Sequence, residues 1–338
     1  MRPSRLLALL TLAVFAFGAD VGVKFTNACD GSVLVDAGEG YILSASDEDN
    51  VIRLYNLADP GRPVSEIDLN SFLKPEQKKN GRPKEADLEA VVRVGNRLYW
   101  SGSHGRDKSG NRELSRHRLF ATEIKGAGAS TTLVPIGSPY SGLLAVIQRS
   151  GTIAASVLQK AESAPHDRGG IDIEALAATS AGALLVGFKS PLVHNRALIV
   201  RVTNVADVVD RRAQPQLDAD ILLDLNGMGI LDIASTGKRD EFFIVAGAAG
   251  SQEVPAIYRW RLGERPTKTD YILPRHGGTP DAILREDGIG SLLVAMDEGE
   301  AGRPVCKELP EKDRRFTIQR VRRAKRPDEN RSRSSDRP

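Results

Sequence analysis

A short acid-led cassette recurs along the chain, and no other feature restricts its fold so much. "ADLEAVVRVGNRLYWSGSHGR" (86–106) and "IDIEALAATSAGALLVGFKSP" (171–191) both carry Asp-x-Glu-Ala, and both reach a glycine fifteen residues after the aspartate. Looser copies follow Asp30, Asp232 and Asp281. The five starting acids, Asp30, Asp87, Asp172, Asp232 and Asp281, are 57, 85, 60 and 49 residues apart. A loose period of that length belongs to stacked or radially arranged units, none of which can bury its apolar face alone.

Each unit has one internal plan. An apolar stretch follows the acid, then a turn such as "GNR" or "SAG", then a second stretch ("LYWSGS", "ALLVGF", "EFFIVAG", "SLLVAM"). A third comes after a polar loop ("VIRLYNL", "RLFATEI", "ALIVRV", "AIYRWRL"), and some units add a fourth ("TLVPIG", "YILPR"). These runs are short, rich in Leu, Ile, Val and aromatics, and bounded by Gly, Asn, Asp and Pro, which is how strands read. Three or four antiparallel strands per unit around an axis predict an all-β fold, a β-propeller of five or six blades. The 32 glycines suit so many turns. The 85-residue interval contains "YSGLLAVIQRSGTIAASVLQKAES" (140–163). It reads as a short helical insertion, or as a degenerate sixth blade.

The ends read differently from the middle. Residues 1–19 have a basic start (Arg2, Arg5), an apolar run from Leu6 to Phe17 and small residues at Ala16, Gly18 and Ala19. That is a secretory signal peptide, too short to span a bilayer, so the expected location is secreted or periplasmic with no transmembrane span. Residues 320–338 carry eight Lys/Arg and three Asp/Glu among Ser, Pro and Asn, a disordered basic tail. The propeller is expected over 20–319. The whole chain is +3; without the +2 leader and the +5 tail, the globular part is about −4. Nucleic-acid binding by the folded domain is therefore not expected, and the chain reads as a monomer. Its two cysteines, Cys29 and Cys306, flank the first and last cassettes. In an exported protein they predict a disulfide that clasps the ring.

In a meander, the start of the first strand and the loop after the second share one face. Asp87 and Glu89 should thus meet His104 and Arg106, and Asp172 and Glu174 should meet Lys189 and His194. Asp30 should lie near Asp47, and Asp281 near Asp297 and Glu298. Acids repeated at strand starts can simply hold blades in register through backbone N–H bonds, the expected role of Asp172 or Asp232 taken alone. The seventeenth position after the first four acids varies (Asp47, His104, Lys189, Ala249), and Glu298 takes the corresponding place in the last unit, as in a composite site. His104, Arg106 and Lys189 are the candidate catalytic residues. Asp87, Glu89, Asp172, Glu174 and Asp297 are candidate ligand-binding residues. Asp30, Asp47, Asp87 and Glu89 are candidate ligands for Ca²⁺, a cation bound through oxygen. His117, His166 and His276 read as surface residues. The chain has no G-x-S-x-G elbow, no phosphate-binding Gly-rich loop with Lys-Ser/Thr, no H-E-x-x-H and no cysteine zinc spacing, so no organic cofactor is indicated.

"CDGS", "SDEDNVIRLYN", "EADLEAVV", "LYWSGSHGRDKSG", "GGIDIEALA", "LLVGFKSP", "LDLNGMGILDIA" and "LLVAMDEGE" resemble, in order and wording, the bacterial family known as domain of unknown function 3616. The likeness runs from about Cys29 to Cys306 and implies a propeller-like fold and no activity. More distantly, "DIEA" and "GFKSP" are similar to the strand starts and loops of the esterase-like activity of phytase family. That would imply a secreted, metal-assisted phosphoesterase, although Ala90 and Ala175 stand where glycine is usual. Three functions follow as expectations: a secreted propeller binding a small polar or anionic ligand at its mouth, a Ca²⁺-dependent phosphoesterase acting on a phosphate-ester ligand, and a periplasmic interaction scaffold.

Overall fold

The structure, a computed structural model, describes residues 22–165, 169–247, 254–274, 278–286, 288, 290–297 and 306–324. The first strand, β1 (Val23–Thr26), does not start the first blade. That blade is β2 (Val33–Gly38), β3 (Tyr41–Ala45), β4 (Val51–Asn56) and β5 (Ser65–Asp68). Blade two is β6 (Leu88–Val94), β7 (Arg97–Gly102), β8 (Leu119–Lys125) and β9 (Thr132–Tyr140). Blade three is β10 (Asp172–Ala178), β11 (Leu184–Ser190), β12 (Ala197–Val202) and β13 (Ile221–Leu223). Blade four is β14 (Gly229–Ser235), β15 (Glu241–Gly247), β16 (Ala256–Arg261) and β17 (Thr267–Lys268). Blade five is β18 (Thr279–Arg285), β19 (Leu292–Asp297), β20 (Arg315–Val321) and, outermost, β1.

The propeller therefore has five blades, each a four-stranded antiparallel meander. The long interval hides no sixth blade. It holds helices α2 (Leu143–Gln148) and α3 (Ile153–Ala161), as the sequence predicts; the other α-helices among the described residues are α1 (Asn70–Leu73) and α4 (Val205–Arg211).

Five apolar clusters lie between successive blades. Trp100 packs with Leu54 between blades one and two, and Trp260 with Ile199 between three and four. Between five and one, the rings of Phe25, Tyr55 and Phe316 pack within 5.1–5.7 Å of one another. The insertion contributes Leu143, Ile147 and Leu158 to the cluster between blades two and three, so it is part of the core. Each such buried Leu or Phe contributes roughly 1.5–3 kcal/mol of transfer free energy.

The ring closes twice. β1 pairs antiparallel with β20 from Val23–Ile318 to Thr26–Arg315, so the N-terminal strand completes the C-terminal blade. Cys29 and Cys306 are bonded, 277 residues apart in sequence, with their Cα atoms 5.6 Å apart. Arg320 and Val321 belong to β20, so the last blade extends past the expected boundary at 319. The leader, and the tail from 325 onward, lie outside the described residues.

A β-bulge repeats at the same point of four innermost strands. Pairing with the neighbouring strand skips one residue between Leu88 and Ala90, Ile173 and Ala175, Ile230 and Asp232, and Pro280 and Ala282. The bulged residues are Glu89, Glu174, Leu231 and Asp281. A bulge re-aims its side chain, and here three of the four are acids. The equivalences shift accordingly: Asp281 corresponds to Glu89, not to Asp87, and Asp232 corresponds to Ala90. The cassette glycine also has a cause. A Cβ at Gly102 would collide with the carbonyl oxygens of Ala86 and Arg116, so only glycine lets those backbones approach.

Candidate functional site

Where the innermost strands begin, four of the five blades direct acids at one another. Blade one supplies Asp30, just before β2, and Asp47, just after β3. Blade two supplies Asp87 and Glu89, blade three Asp172 and Glu174, and blade five Asp281 and Asp297. Their fields join them into a ring. Burial pushes the Glu89 carboxyl well above the usual range, and the charges of Asp87, Asp47, Glu174 and Asp281 add to that. Burial raises Glu174 likewise, with Asp172 and Asp281 adding to it against Lys189. Asp281 is pushed up to about 8, by burial first and then by Asp30 and Asp297. Acids crowded and buried in this way keep their protons or give them up to a cation.

At blade two, Asp47, Asp87 and Glu89 converge, each offering a ligand oxygen within 4.8 Å of the others. Asp47 Oδ1 is buried with no hydrogen-bond partner. Burial, then Asp30 and Asp87, hold the Asp47 carboxyl far above normal. Asp30 lies close enough to Asp47 to raise it, and Ser32 Oγ donates to Asp30 Oδ1 at 3.0 Å. Asp30 thus stands behind Asp47 and orients it. Asp87 is gripped from the other side: Ser103 Oγ donates to its Oδ2, and Arg116 Nη1 lies 2.9 Å from that oxygen. Burial pulls the Arg116 guanidinium down, but Asp87, Glu85 and Glu89 outweigh it and hold it above its ordinary value. An all-oxygen donor set with an orphaned carboxylate oxygen suits a hard cation such as Ca²⁺ and not a thiophilic one.

At blade three, the same positions hold a different partner. Lys189 Nζ lies 2.5 Å from Glu174 Oε1 and 3.7 Å from Asp172 Oδ2. Burial lowers the ammonium, but Glu174 and Asp172 outweigh it and keep it protonated well above the usual range. Asp172, Glu174 and Lys189 thus come together as predicted, whereas His194, the fourth member of that expected grouping, is exposed at φ 48° in the loop between β11 and β12.

The predicted grouping of His104 and Arg106 with Asp87 and Glu89 is not. His104 sits at φ 59°, a left-handed conformation that turns its ring away from the acids. It is 2% exposed and packs on His117, with ring centroids 5.2 Å apart. Its Nδ1 donates to the Gly102 carbonyl at 3.0 Å; a carbonyl only accepts, so the neutral ring leaves Nε2 bare, and that nitrogen is buried without a partner. Burial, then His117, lowers the His104 imidazole to about 3. Arg106 turns the same way. Its Nε donates to the Glu162 carbonyl and its Nη1 to the Gly110 carbonyl at 3.0 Å. Together with Arg112, Leu144 and Glu162 these residues line a small cavity between the blade-two loop and the helical insertion. His117 is part of it and is buried, not on the surface; burial, then Arg112 and Arg118, lowers it to about 4. His166, Ala249, His276 and Glu298 lie outside the described residues.

Asp232 fulfils the structural expectation. Its Oδ2 accepts the Ile283 N–H of blade five at 2.8 Å and its Oδ1 accepts its own neighbour's N–H, that of Ile233, at 2.7 Å. Burial raises it to about 7, and those two bonds oppose the shift. Arg116 is the residue that sequence reasoning missed. It lies in the loop between β7 and β8, outside the cassette, and its only signal is "SRHRLF", a basic cluster next to a strand.

The family described as "Protein of unknown function (DUF3616)" matches residues 142–277. The DUF3616 match covers the insertion and blades three and four, with Asp172, Glu174, Lys189 and Asp232; Asp47, Asp87, Glu89 and Arg116 lie before it. No curated protein matches the chain. Solved propellers are similar in fold alone. Glutaminyl cyclase of Myxococcus xanthus is 11% identical over 89% of this chain and 95% of its own, with TM-score 0.43. The β-propeller domain of Myceliophteria thermophila Cps50 (Swd1) is 11% identical over 86% and 95%, with TM-score 0.37. A catalytically inactive virginiamycin B lyase from Staphylococcus aureus is 14% identical over 81% and 80%, also at 0.37. Among the described residues no helix is long and apolar enough to cross a membrane.

Proposed function

We propose that this chain is an exported, cation-dependent binding propeller. A Ca²⁺-like ion is held by Asp47, Asp87 and Glu89, and the ion's remaining positions take a small polar or anionic ligand at the channel mouth. The observation that carries this reading is the convergence of three carboxylates from two blades, ligand oxygens within 4.8 Å, beside an orphaned Asp47 oxygen. Asp30 serves as the group that orients Asp47. An anionic ligand needs the ion, because the ring repels anions without it. The Cys29–Cys306 bond agrees with an oxidising compartment. Binding is favoured over phosphoester hydrolysis because His104 and Arg106, the groups that would move protons and neutralise a phosphate, belong to a separate cavity.

Isothermal titration of the metal-stripped mature chain with Ca²⁺ tests this. The expected result is saturable binding of one ion, weakened on the order of 100-fold in Glu89→Gln. Binding of equal strength in that variant, with the fold intact by circular dichroism, would remove the reading.

A further inference from the structure

Resting on that cation-binding reading, we propose that Lys189 sets the ring's cation stoichiometry. Its ammonium fills the blade-three seat formed by Asp172 and Glu174, holds the wild-type chain to one divalent ion, and on removal leaves a second cation site there.

The two seats are built alike. Asp87 and Glu89 stand at the same places relative to the β6 bulge as Asp172 and Glu174 do relative to the β10 bulge. They differ in which cationic side chain enters. At blade two the seventeenth residue, His104, turns away at φ 59°, and Arg116 arrives from a later loop to meet Asp87, leaving Glu89 and Asp47 to converge on one point. At blade three the seventeenth residue stays. Ser190 pairs with Asp172 and Phe188 with Ile173, so Lys189 falls opposite the register break and reaches both acids.

An independent sign that the seat suits a ligand lies on Glu174. Its side chain is 6% exposed, and Oε2 is buried with no hydrogen-bond partner, so Lys189 satisfies only one of its oxygens. Glu89 and Asp281 face the same carboxylate electrostatically. This is an oxygen-rich seat whose positive occupant among the described residues is tethered to the chain. A divalent ion takes six or more oxygen ligands and tolerates no ammonium among them, so the two occupants exclude each other. Lys189 is thus a specificity-determining residue: it admits one ion to a ring with acids enough for two.

The test is the number of ions bound per chain, by equilibrium dialysis with Ca²⁺ and elemental analysis, on the full mature chain at pH 8. Wild type is expected to saturate at one ion, Lys189→Met at two, Lys189→Arg at one, and Lys189→Met with Glu174→Gln at one again. Wild type saturating at two overturns the proposal without any variant, and so does folded Lys189→Met remaining at one. Lys189→Gln, which retains a donor for Glu174, serves where the methionine variant does not fold. Wild type binding none while Lys189→Met binds one supports the role of Lys189 and removes the blade-two reading. None bound by either removes both.

Discussion

Blades two and three start from nearly the same sequence and make different sites. Both open with an aspartate, bulge at a glutamate and return through a glycine fifteen residues on. In blade three the cation that follows in sequence, Lys189, closes the acids locally. In blade two the residue at that position leaves, and Arg116, from a loop beyond β7, pairs with Asp87. The cassette therefore fixes where the carboxylates point. What they bind is decided by one residue after it, and by whether the backbone there is left-handed.

The largest expected effect separates the two counter-ions. Arg116 and Asp87 are nearly buried, with side chains 11% and 7% exposed, so Arg116→Ala leaves a buried charge behind. It should lower stability by about 3 kcal/mol without metal. Lys189 is 34% exposed, and Lys189→Ala should lower it by only about 1 kcal/mol after screening. Urea melts of both variants in EDTA check this; equal losses would erase the distinction between a buried and a partly exposed cation.

Next comes the pair of bulged glutamates. Glu89→Gln should weaken Ca²⁺ on the order of 100-fold, and Glu174→Gln by less than about 3-fold, because Lys189 already neutralises Glu174. Equal weakening would mean that the ion sits between the blades rather than at blade two.

The pH dependences of the buried acids on the innermost strands and of the histidine cavity have opposite signs. Asp232 and Asp281 rise from 3.8 to about 7 and about 8 on folding. Their contribution is full below about pH 4 and is lost as pH rises through those values. His104 and His117 fall from 6.5 to about 3 and about 4. Their contribution is full above pH 6.5 and is lost as pH falls toward those values. Thermal midpoints should therefore peak between about pH 4 and 7. His104→Phe should flatten the acid limb alone. Ca²⁺ should lift the alkaline limb alone, since metal displaces protons from the carboxylates. A His104→Phe profile that moves on the alkaline side would contradict the separation of the two places.

The smallest effect on the cation concerns Asp232. Asp232→Ala leaves the Ile283 N–H buried and unpaired and should cost about 1–3 kcal/mol, with Ca²⁺ affinity unchanged. A changed affinity would place Asp232 in the site.

Much of this fold can be read from the cassettes, because strand, turn and bulge recur at fixed spacing, and Cys29 and Cys306 mark the closure. The outer strand of blade five could not be read that way. "VKFT" pairs with a strand nearly 300 residues away, and no local pattern encodes that contact. The blade number stayed open because α2 and α3 fill the length a sixth blade would need. The acids of the site were legible as repeated positions, and so was Lys189. His104 was misplaced because a non-glycine residue at positive φ carries no composition signal. Arg116 was missed because its partner Asp87 is brought to it by the return of β7, not by spacing.

The central claim is that the ion sits at blade two. Crystals grown with Mn²⁺ in place of Ca²⁺ test it through the anomalous difference map. One peak is expected within coordination distance of Asp47, Asp87 and Glu89, and none between Asp172 and Glu174. A map with no peak at those three carboxylates, or with its only peak at blade three, would contradict it.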